Sequence, residues 1–218
     1  MDGHPGSAGT SVASLPHRHH WNGHDRGEFP VIAGTHLRLR PFKLADISPL
    51  MTMVVSRRGV DTALGLPQPL GARQVRRWIE SHRHHWQHGN ALHWAISHLG
   101  DDRLAGHVSL EDIDAADGQA RLNLWIGARL ERRDLAVEAA QAALAFAFTS
   151  LDLHRVHAQQ LAADPLQGRV LMRLGMKVVA GQRQLVSRFG HQEEMLLWDL
   201  RQADWLSALT GSPGTARV

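Results

Sequence analysis

The stretch "ARLNLWIGARLERRDLAVEAAQAALAFAF" (120–148) constrains the fold more than any other. Residues 120–127 read as a strand, 128–133 as a short basic and acidic loop, and roughly 134–150 as an alanine-rich helix. A strand that feeds a helix N-terminus is a place where many folds cradle a phosphate, because the first N–H groups of the helix point outward with the positive end of its dipole. This loop has no glycine after Gly127, and an acid, Asp134, stands where the helix should begin.

The elements around that unit alternate. "THLRLRPF" (35–42) has strand period through Leu37 and Leu39. "KLADISPLMTMVV" (43–55) carries apolar residues at helical spacing, with Asp46 near its start. Pro67 and Pro69 mark a loop, and 71–89 reads as an amphipathic helix through Val75, Trp78 and Ile79. Residues 91–99, 103–113 and 120–127 form a hairpin-rich meander, with turns at 100–102 and 114–119. After the alanine-rich helix come a strand (151–161) and a helix opened by Asp164-Pro165 and closed near Gly175. Two strands around Gly190 (177–200) complete the set. The order β-α-α-β-β-β-α-β-α-β-β implies a mixed α/β fold on one sheet, mostly antiparallel in its first half.

Composition bounds the rest. The chain has 218 residues, with 43% hydrophobic and 21% charged, which suits one domain with a sizeable core. Residues 1–33, rich in Gly, Ser, Pro and His, read as a disordered tail or an over-extended start; the domain spans 34–206 and a loose tail 207–218. No apolar run approaches 18 residues, and the N-terminus lacks a secretory pattern, so no membrane span is expected and the cytoplasm is the expected compartment. There are 0 cysteines, which removes disulfides, thiolate metal sites and a cysteine nucleophile. Formal net charge is +3 and the arginine pairs are scattered, so no specific nucleic-acid partner is expected.

Laid out in order, these segments resemble the GNAT acyl-CoA N-acyltransferase superfamily, in particular its RimJ/RimL-like branch. The resemblance rests on "LRLRPFKLADISPL", "RRWIE", "LAGHVSLEDIDAADGQARLNLWIG", "LDLHRVHAQ", "GRVLMRLGM" and "FGHQEEMLLWDLRQADW", and covers about 35–205. It implies acetyl-CoA as co-substrate, lying in a V-shaped split beside the strand 120–127. Backbone groups of Trp125 and Ile126 would pair with the pantetheine amides, and the diphosphate would sit on the helix start, residues 132–137. The family's loop there reads Gln/Arg-x-x-Gly-x-Gly/Ala. The aligned residues are Glu131, Arg132, Arg133, Asp134, Leu135 and Ala136, so only Ala136 matches and the diphosphate loop is degenerate. The later helix, which opens with Asn in the family, opens here with Asp164. The family's tyrosine acid has no counterpart in a chain with 0 tyrosines, and Arg121 aligns with a common glutamate.

Asp134 has two readings: an N-cap that fills the anion site with its own carboxylate, or a repulsive charge of roughly 3 kcal/mol beside a phosphate at an effective dielectric near 20. Arg132 and Arg133 could clamp the diphosphate bidentately or be solvated, as Val137 extends the run of helix-start amides. Glu111 and Asp112 are the candidates to relay the proton of an attacking amine, with His107 a further titratable group; the plainer reading makes the acids turn-flanking. Among 16 histidines, "HRHHWNGHD" (17–25) nearly repeats in "HRHHWQHGN" (82–90). His84 and His88, and His82 and His85, have spacings that share a helix face, but no third ligand has clear spacing. An exposed helix end is the plainer reading, and no metal is expected. Trp78, Trp94 and Trp198 read as core, and Trp125 as a neighbour of the acyl site. The resemblance thus implies acetyl transfer to a primary amine on a protein N-terminus or a small molecule. The competing reading is a GNAT fold that has lost CoA chemistry and serves as a binding or regulatory module. Oligomeric state is open, a homodimer included.

Overall fold

The computed structural model describes residues 27–55, 71–127, 133–188 and 191–210. Its strands are β1 (Ile32–Ala33), β2 (Leu37–Arg40), β3 (Leu92–His98), β4 (Leu104–Asp114), β5 (Gln119–Ile126), β6 (Arg155–Leu161), β7 (Lys177–Arg188) and β8 (His191–Arg201). Its helices are α1 (Ile47–Val55, entered through a 3-10 turn at Leu44–Asp46), α2 (Ala72–His88), α3 (Arg133–Thr149), α4 (Pro165–Arg173) and α5 (Gln202–Leu209). Among the described residues one eight-stranded sheet runs in the order β1-β2-β3-β4-β5-β6-β8-β7. Every neighbouring pair is antiparallel except β5–β6. This is the mixed α/β class expected from the sequence.

The helices divide between the two faces. On one face α3 lies flat, because Ala139, Ala140, Ala143 and Ala147 are fully buried and bring its backbone close to the sheet. Phe146, Leu144, Trp94, Val108, Leu122 and Val156 fill the space around them. On the other face α1 and α2 cover a smaller core of Phe42, Leu50, Val54, Val75, Ile79, Ala95, Leu104 and Trp125. A left-handed Gly89 (φ 70°) ends α2, its N–H donating to the carbonyls of His85 and Trp86.

Three boundaries differ from the sequence reading. β1 falls inside the stretch 1–33 assigned to a tail. Ile32 is buried, Phe29 packs edge-on against Trp86 and Trp94, and the Trp94 indole N–H donates to the Pro30 carbonyl at 2.8 Å. A two-residue strand has no periodicity to read; it exists because β2 offers it an edge. At the other end α5, a helix absent from the sequence reading, runs from Gln202 through residue 206 to Leu209. The strand expected at 151–161 starts only at Arg155, because the N–H of Leu153 still bonds the Ala147 carbonyl and Asp152 takes a left-handed turn (φ 56°).

A buried ion cluster ties β2, α1 and the β3–β4 turn together. The Arg40 side chain, 5% exposed, donates to Asp46 at 2.7 and 3.0 Å and to Asp102 at 2.8 Å. Asp102 also accepts from Lys43 Nζ at 2.6 Å and Ser97 Oγ at 2.9 Å. The Lys43 ammonium, with Arg40 and Ser97 behind it, holds the Asp102 carboxyl well below the usual carboxylate range. Removing one partner of such a pair strands a buried charge. Asp46→Ala should therefore lose about 3 kcal/mol of stability in urea unfolding, while Arg40→Met with Asp46→Leu should lose clearly less. Equal losses would contradict the ion-cluster account.

Histidine burial sets a second, pH-dependent constraint. His82, His93 and His107 are all inside, between the sheet and α2. Burial, reinforced by neighbouring imidazoles, pushes His82 and His107 well below the ordinary histidine range. Burial, then His85 and Arg121, push His93 down to about 3. Between the depressed folded value and the unfolded value near 6.5, the unfolded chain holds more protons, so stability rises with pH. Each such histidine contributes a slope of about 1.4 kcal/mol per pH unit in that window. Stability should be flat from pH 8 to 7 and fall steeply below about 6.5, with His93→Phe giving a shallower fall. A flat profile down to pH 5 would contradict the buried, neutral state.

Candidate active site

β5 and β6 run side by side for four register pairs, from Gln119↔Arg155 to Leu122↔Ala158. β5 then continues to Ile126 and β6 to Leu161, so the two parallel strands part after Leu122. On its other side β5 stays in register with β4 as far as Gly106↔Ile126. That contact needs a glycine: a Cβ at 106 would collide with the Trp125 carbonyl oxygen and lie 3.0 Å from Ile126 Cα. The N–H of Gly127 donates to the Ala105 carbonyl at 2.9 Å, prolonging the hold. The end of β5 is thereby fixed from the β4 side along one wall of a fork.

The second wall leads to α3 and α4. α3 starts at Arg133, and Leu135, Ala136 and Val137 turn their side chains into the core. Glu131 and Arg132, and the side chain of Arg133, lie outside the described residues, so the expected arginine clamp does too. Asp134 is the second residue of the helix and is exposed. Its Oδ1 receives Arg173 Nη1 of α4 at 3.1 Å, so its carboxylate turns to α4 rather than serving as the expected N-cap. An exposed pair of this kind contributes little stability but offsets the acid's charge locally. Asp164 caps α4, its Oδ1 accepting from the N–H groups of Leu166 and Gln167. Gln160 fixes this helix start to the sheet: its Nε2 donates to the Asp164 carbonyl at 2.7 Å and its Oε1 accepts from the Trp198 indole at 2.7 Å.

Glu111 and Asp112 come together around Arg121 of β5. Glu111 Oε2 meets Arg121 Nη2 at 2.9 Å, while Glu111 Oε1 accepts from Ser109 Oγ at 2.6 Å. Asp112 meets Arg121 Nε at 2.8 Å. Asp112 sits at a bulge in β4 with φ 50°, a conformation aspartate tolerates better than most side chains. Arg121 thus gathers both acids. Their backbones lie four and five residues along β4 from His107, the residue opposite Trp125, about 13–17 Å at strand rise. The Glu111 carboxylate nevertheless reaches back to 3.8 Å from His93 Nδ1, the atom that meets His107. His107 is the titratable side chain opposite Trp125, and Glu111 stands beside its imidazole neighbour His93.

The face of the sheet beneath α2 is unexpectedly polar. His93 of β3 and His107 of β4 lie side by side there, His93 Nδ1 to His107 Nε2 at 3.3 Å. His82 of α2 stacks on His93 with ring centroids 4.2 Å apart and planes within 14°. His85 Nδ1 lies 3.4 Å from His93 Nε2, and Glu111 Oε1 lies 3.8 Å from His93 Nδ1. Phe42 and Trp78 box in His82 and His107 edge-on or tilted. The helix end expected to be exposed is therefore split. His84 and His88 are outside, where their rings approach at 3.9 Å, and His82 is inside. Among the described residues no group of three or more His, Asp or Glu side chains is arranged to hold a metal ion. Trp94 and Trp198 are core as expected, whereas Trp78 is only half-buried; Trp125 is buried in the core under α1 and α2.

Sequence reasoning named His107 but missed the cluster. The available signal was one histidine inside each of two strands, "LHWAI" and "AGHVS", whose other residues are apolar or small enough for burial on both faces.

Comparison with known proteins agrees with this fold. The acetyltransferase (GNAT) domain model matches residues 36–177. A solved structure described as a probable acetyltransferase shares 20% identity, covering 78% of this chain and 96% of its own, with a TM-score of 0.70. Mycobacterium smegmatis RimJ, solved in complex with CoA-disulfide, shares 18% identity, with 85% and 93% coverage and a TM-score of 0.66. A spermidine N-acetyltransferase from Vibrio cholerae, solved with CoA and spermine, shares 16% identity, with 79% and 99% coverage and a TM-score of 0.65. A search of curated protein sequences finds no match. With the family's domain spanning most of the sheet and its helices, the chain belongs to the acetyltransferase (GNAT) domain family and is a GNAT-type N-acetyltransferase.

Proposed function

We infer that the protein moves an acetyl group from acetyl-CoA to a primary amine by direct attack in a ternary complex, in the manner of the RimJ/RimL-like branch. The observation that carries this reading is the fork after Leu122↔Ala158, with Gly106 letting β4 hold the end of β5. Backbone groups of Trp125 and Ile126 line that fork and would meet the pantetheine amides. The first-turn amides of α3, around Asp134, Leu135, Ala136 and Val137, would receive the diphosphate, with Arg132 and Arg133 supplying charge. Asp164, at the start of α4, would border the same opening. Glu111 supplies negative charge beside the imidazoles, and Asp112, on the exposed side of Arg121, helps keep that arginine in place. The acceptor is a free amine of a peptide or a small molecule. Among the described residues no helix is long and apolar enough to cross a membrane, and we assign the activity to the cytoplasm, as a monomer or homodimer.

A second reading, a GNAT fold without CoA chemistry, draws on one specific feature: a carboxylate, Asp134, in the first turn of the helix that should receive phosphate. Two experiments separate the readings. Isothermal titration should give micromolar binding of both acetyl-CoA and free CoA. Asp134→Ala should tighten CoA about three- to tenfold by removing like charge, and Arg132→Ala should weaken it about tenfold. CoA release should then be detectable with a panel holding spermidine and a short peptide with a free N-terminal serine. No binding of either nucleotide by the wild-type protein would replace the transferase reading with the second one.

A further inference from the structure

The net chemistry of acetyl transfer leaves a proton to be disposed of. An ammonium acceptor R–NH3+ ends as the amide R–NH–CO–CH3 once nitrogen bonds to the thioester carbonyl carbon and the C–S bond breaks. Of the two protons lost by nitrogen, one ends on the CoA sulfur and the other must leave for solvent. That requirement rests on the transferase reading above.

We propose that His107, His93 and His85 form a proton path from the inner face of the sheet at Trp125 to the solvent beside α2. The bonding pattern has one sense throughout. His107 Nε2 meets His93 Nδ1 at 3.3 Å, and His93 Nε2 meets His85 Nδ1 at 3.4 Å. Along the line each Nε2 meets the next ring's Nδ1, which leaves His107 Nδ1 at one end and His85 Nε2 at the other. The inner end is unpartnered: His107 is fully buried and its Nδ1 finds no hydrogen-bond partner among the described residues. The outer end, His85, is half-buried on the helix surface.

Two hydrogen bonds between three neutral imidazoles lock their tautomers together. If His93 carries its proton on Nε2, His85 Nδ1 must be the acceptor and His107 Nε2 the donor, so all three are Nε2–H forms. In that state His107 Nδ1 is a bare acceptor at the inner end. A proton taken up there is handed on at each ring from Nε2 to the next Nδ1, and the last leaves from His85 Nε2. The three rings end as Nδ1–H forms, which reset by ring rotation or by exchange with solvent.

The surroundings suit transfer rather than storage. His93 faces Trp78, His82 and His85 of α2, His107 and Glu111 of β4, and Arg121 of β5. His107 faces Phe42, Trp78 and His93. His85 feels His84, His88 and Glu111. Burial and the Arg121 charge keep His93 from holding a proton at neutral pH, while Glu111 Oε1, 3.8 Å from His93 Nδ1, favours its brief cationic form. His82, stacked on His93, has neither ring nitrogen in the line.

The test begins without substrate. Long-range 1H–15N correlation spectra of the labelled wild-type protein at pH 7.5 should show His85, His93 and His107 all as neutral Nε2–H tautomers. Opposite tautomers at His93 and His107, or Nδ1–H at all three at rest, would overturn the path. The second arm uses CoA release with whichever panel amine turns over fastest. His85→Ala should lower kcat about tenfold in a non-imidazole buffer, with KM for acetyl-CoA unchanged and the rate restored by added imidazole. His85→Gln, which keeps a hydrogen-bonding side chain but cannot relay, should be as slow as His85→Ala. A His85→Ala rate equal to wild type, or a loss that imidazole does not restore, would overturn the proposal. If no amine turns over, the transferase reading falls, and the spectra still decide whether the imidazole line is built.

Discussion

The one parallel pairing among the described strands carries the rest of the structure. β5 and β6 are joined by α3, and that crossover sets them parallel where every other neighbouring pair is antiparallel. Only four register pairs hold them together before they separate. The separation would leave the end of β5 poorly held if β4 did not remain attached on the other side. A glycine at 106 makes that attachment close enough, and the fully buried alanines of α3 bring the helix down onto the sheet beside the opening. Fork, helix start and β4 contact are consequences of one topology.

The two faces then divide the labour. The α3 face is a conventional apolar core of large side chains set among alanines. The α1–α2 face begins as a core around Phe42, Leu50 and Trp125 and becomes, two strands across, a layer of imidazoles with Ser109, Glu111 and Arg121. Burying neutral histidines costs stability in acid and gains the protein a polar interior beside the strand that lines the fork. A purely structural layer would be cheaper to build from leucine and valine. The Arg40–Asp46–Asp102 cluster stands at the rim of the same face and fixes β2 and α1, on which Phe42 and Leu50 depend.

Much of this was legible in the chain, for identifiable reasons. Period-two and helical patterns marked β2 to β8 and α1 to α4, and Asp164-Pro165 with Gly175 (φ 81°) marked both ends of α4, since caps are local chemistry. The family's order of segments gave the fold its identity. Apart from the last helix, α5, what escaped was non-local. β1 is too short for any period and is defined by its partner. Asp134 looked like a cap because its partner, Arg173, lies 39 residues away on another helix. The histidine line joins α2, β3 and β4, so no spacing within one element could reveal it. Glu111 and Asp112 were legible as acids near a turn; that Arg121 would gather both depended on the β4–β5 register.

The central claim is that the fork between β5 and β6 receives acetyl-CoA. The most direct measurement is amide hydrogen exchange of the wild-type protein with and without saturating acetyl-CoA. The account predicts slowed exchange in two separate segments, residues 123–127 at the end of β5 and residues 133–137 at the start of α3, with little change along β1 and β2. Protection confined to other segments, or none under conditions where binding is independently detected, would contradict it.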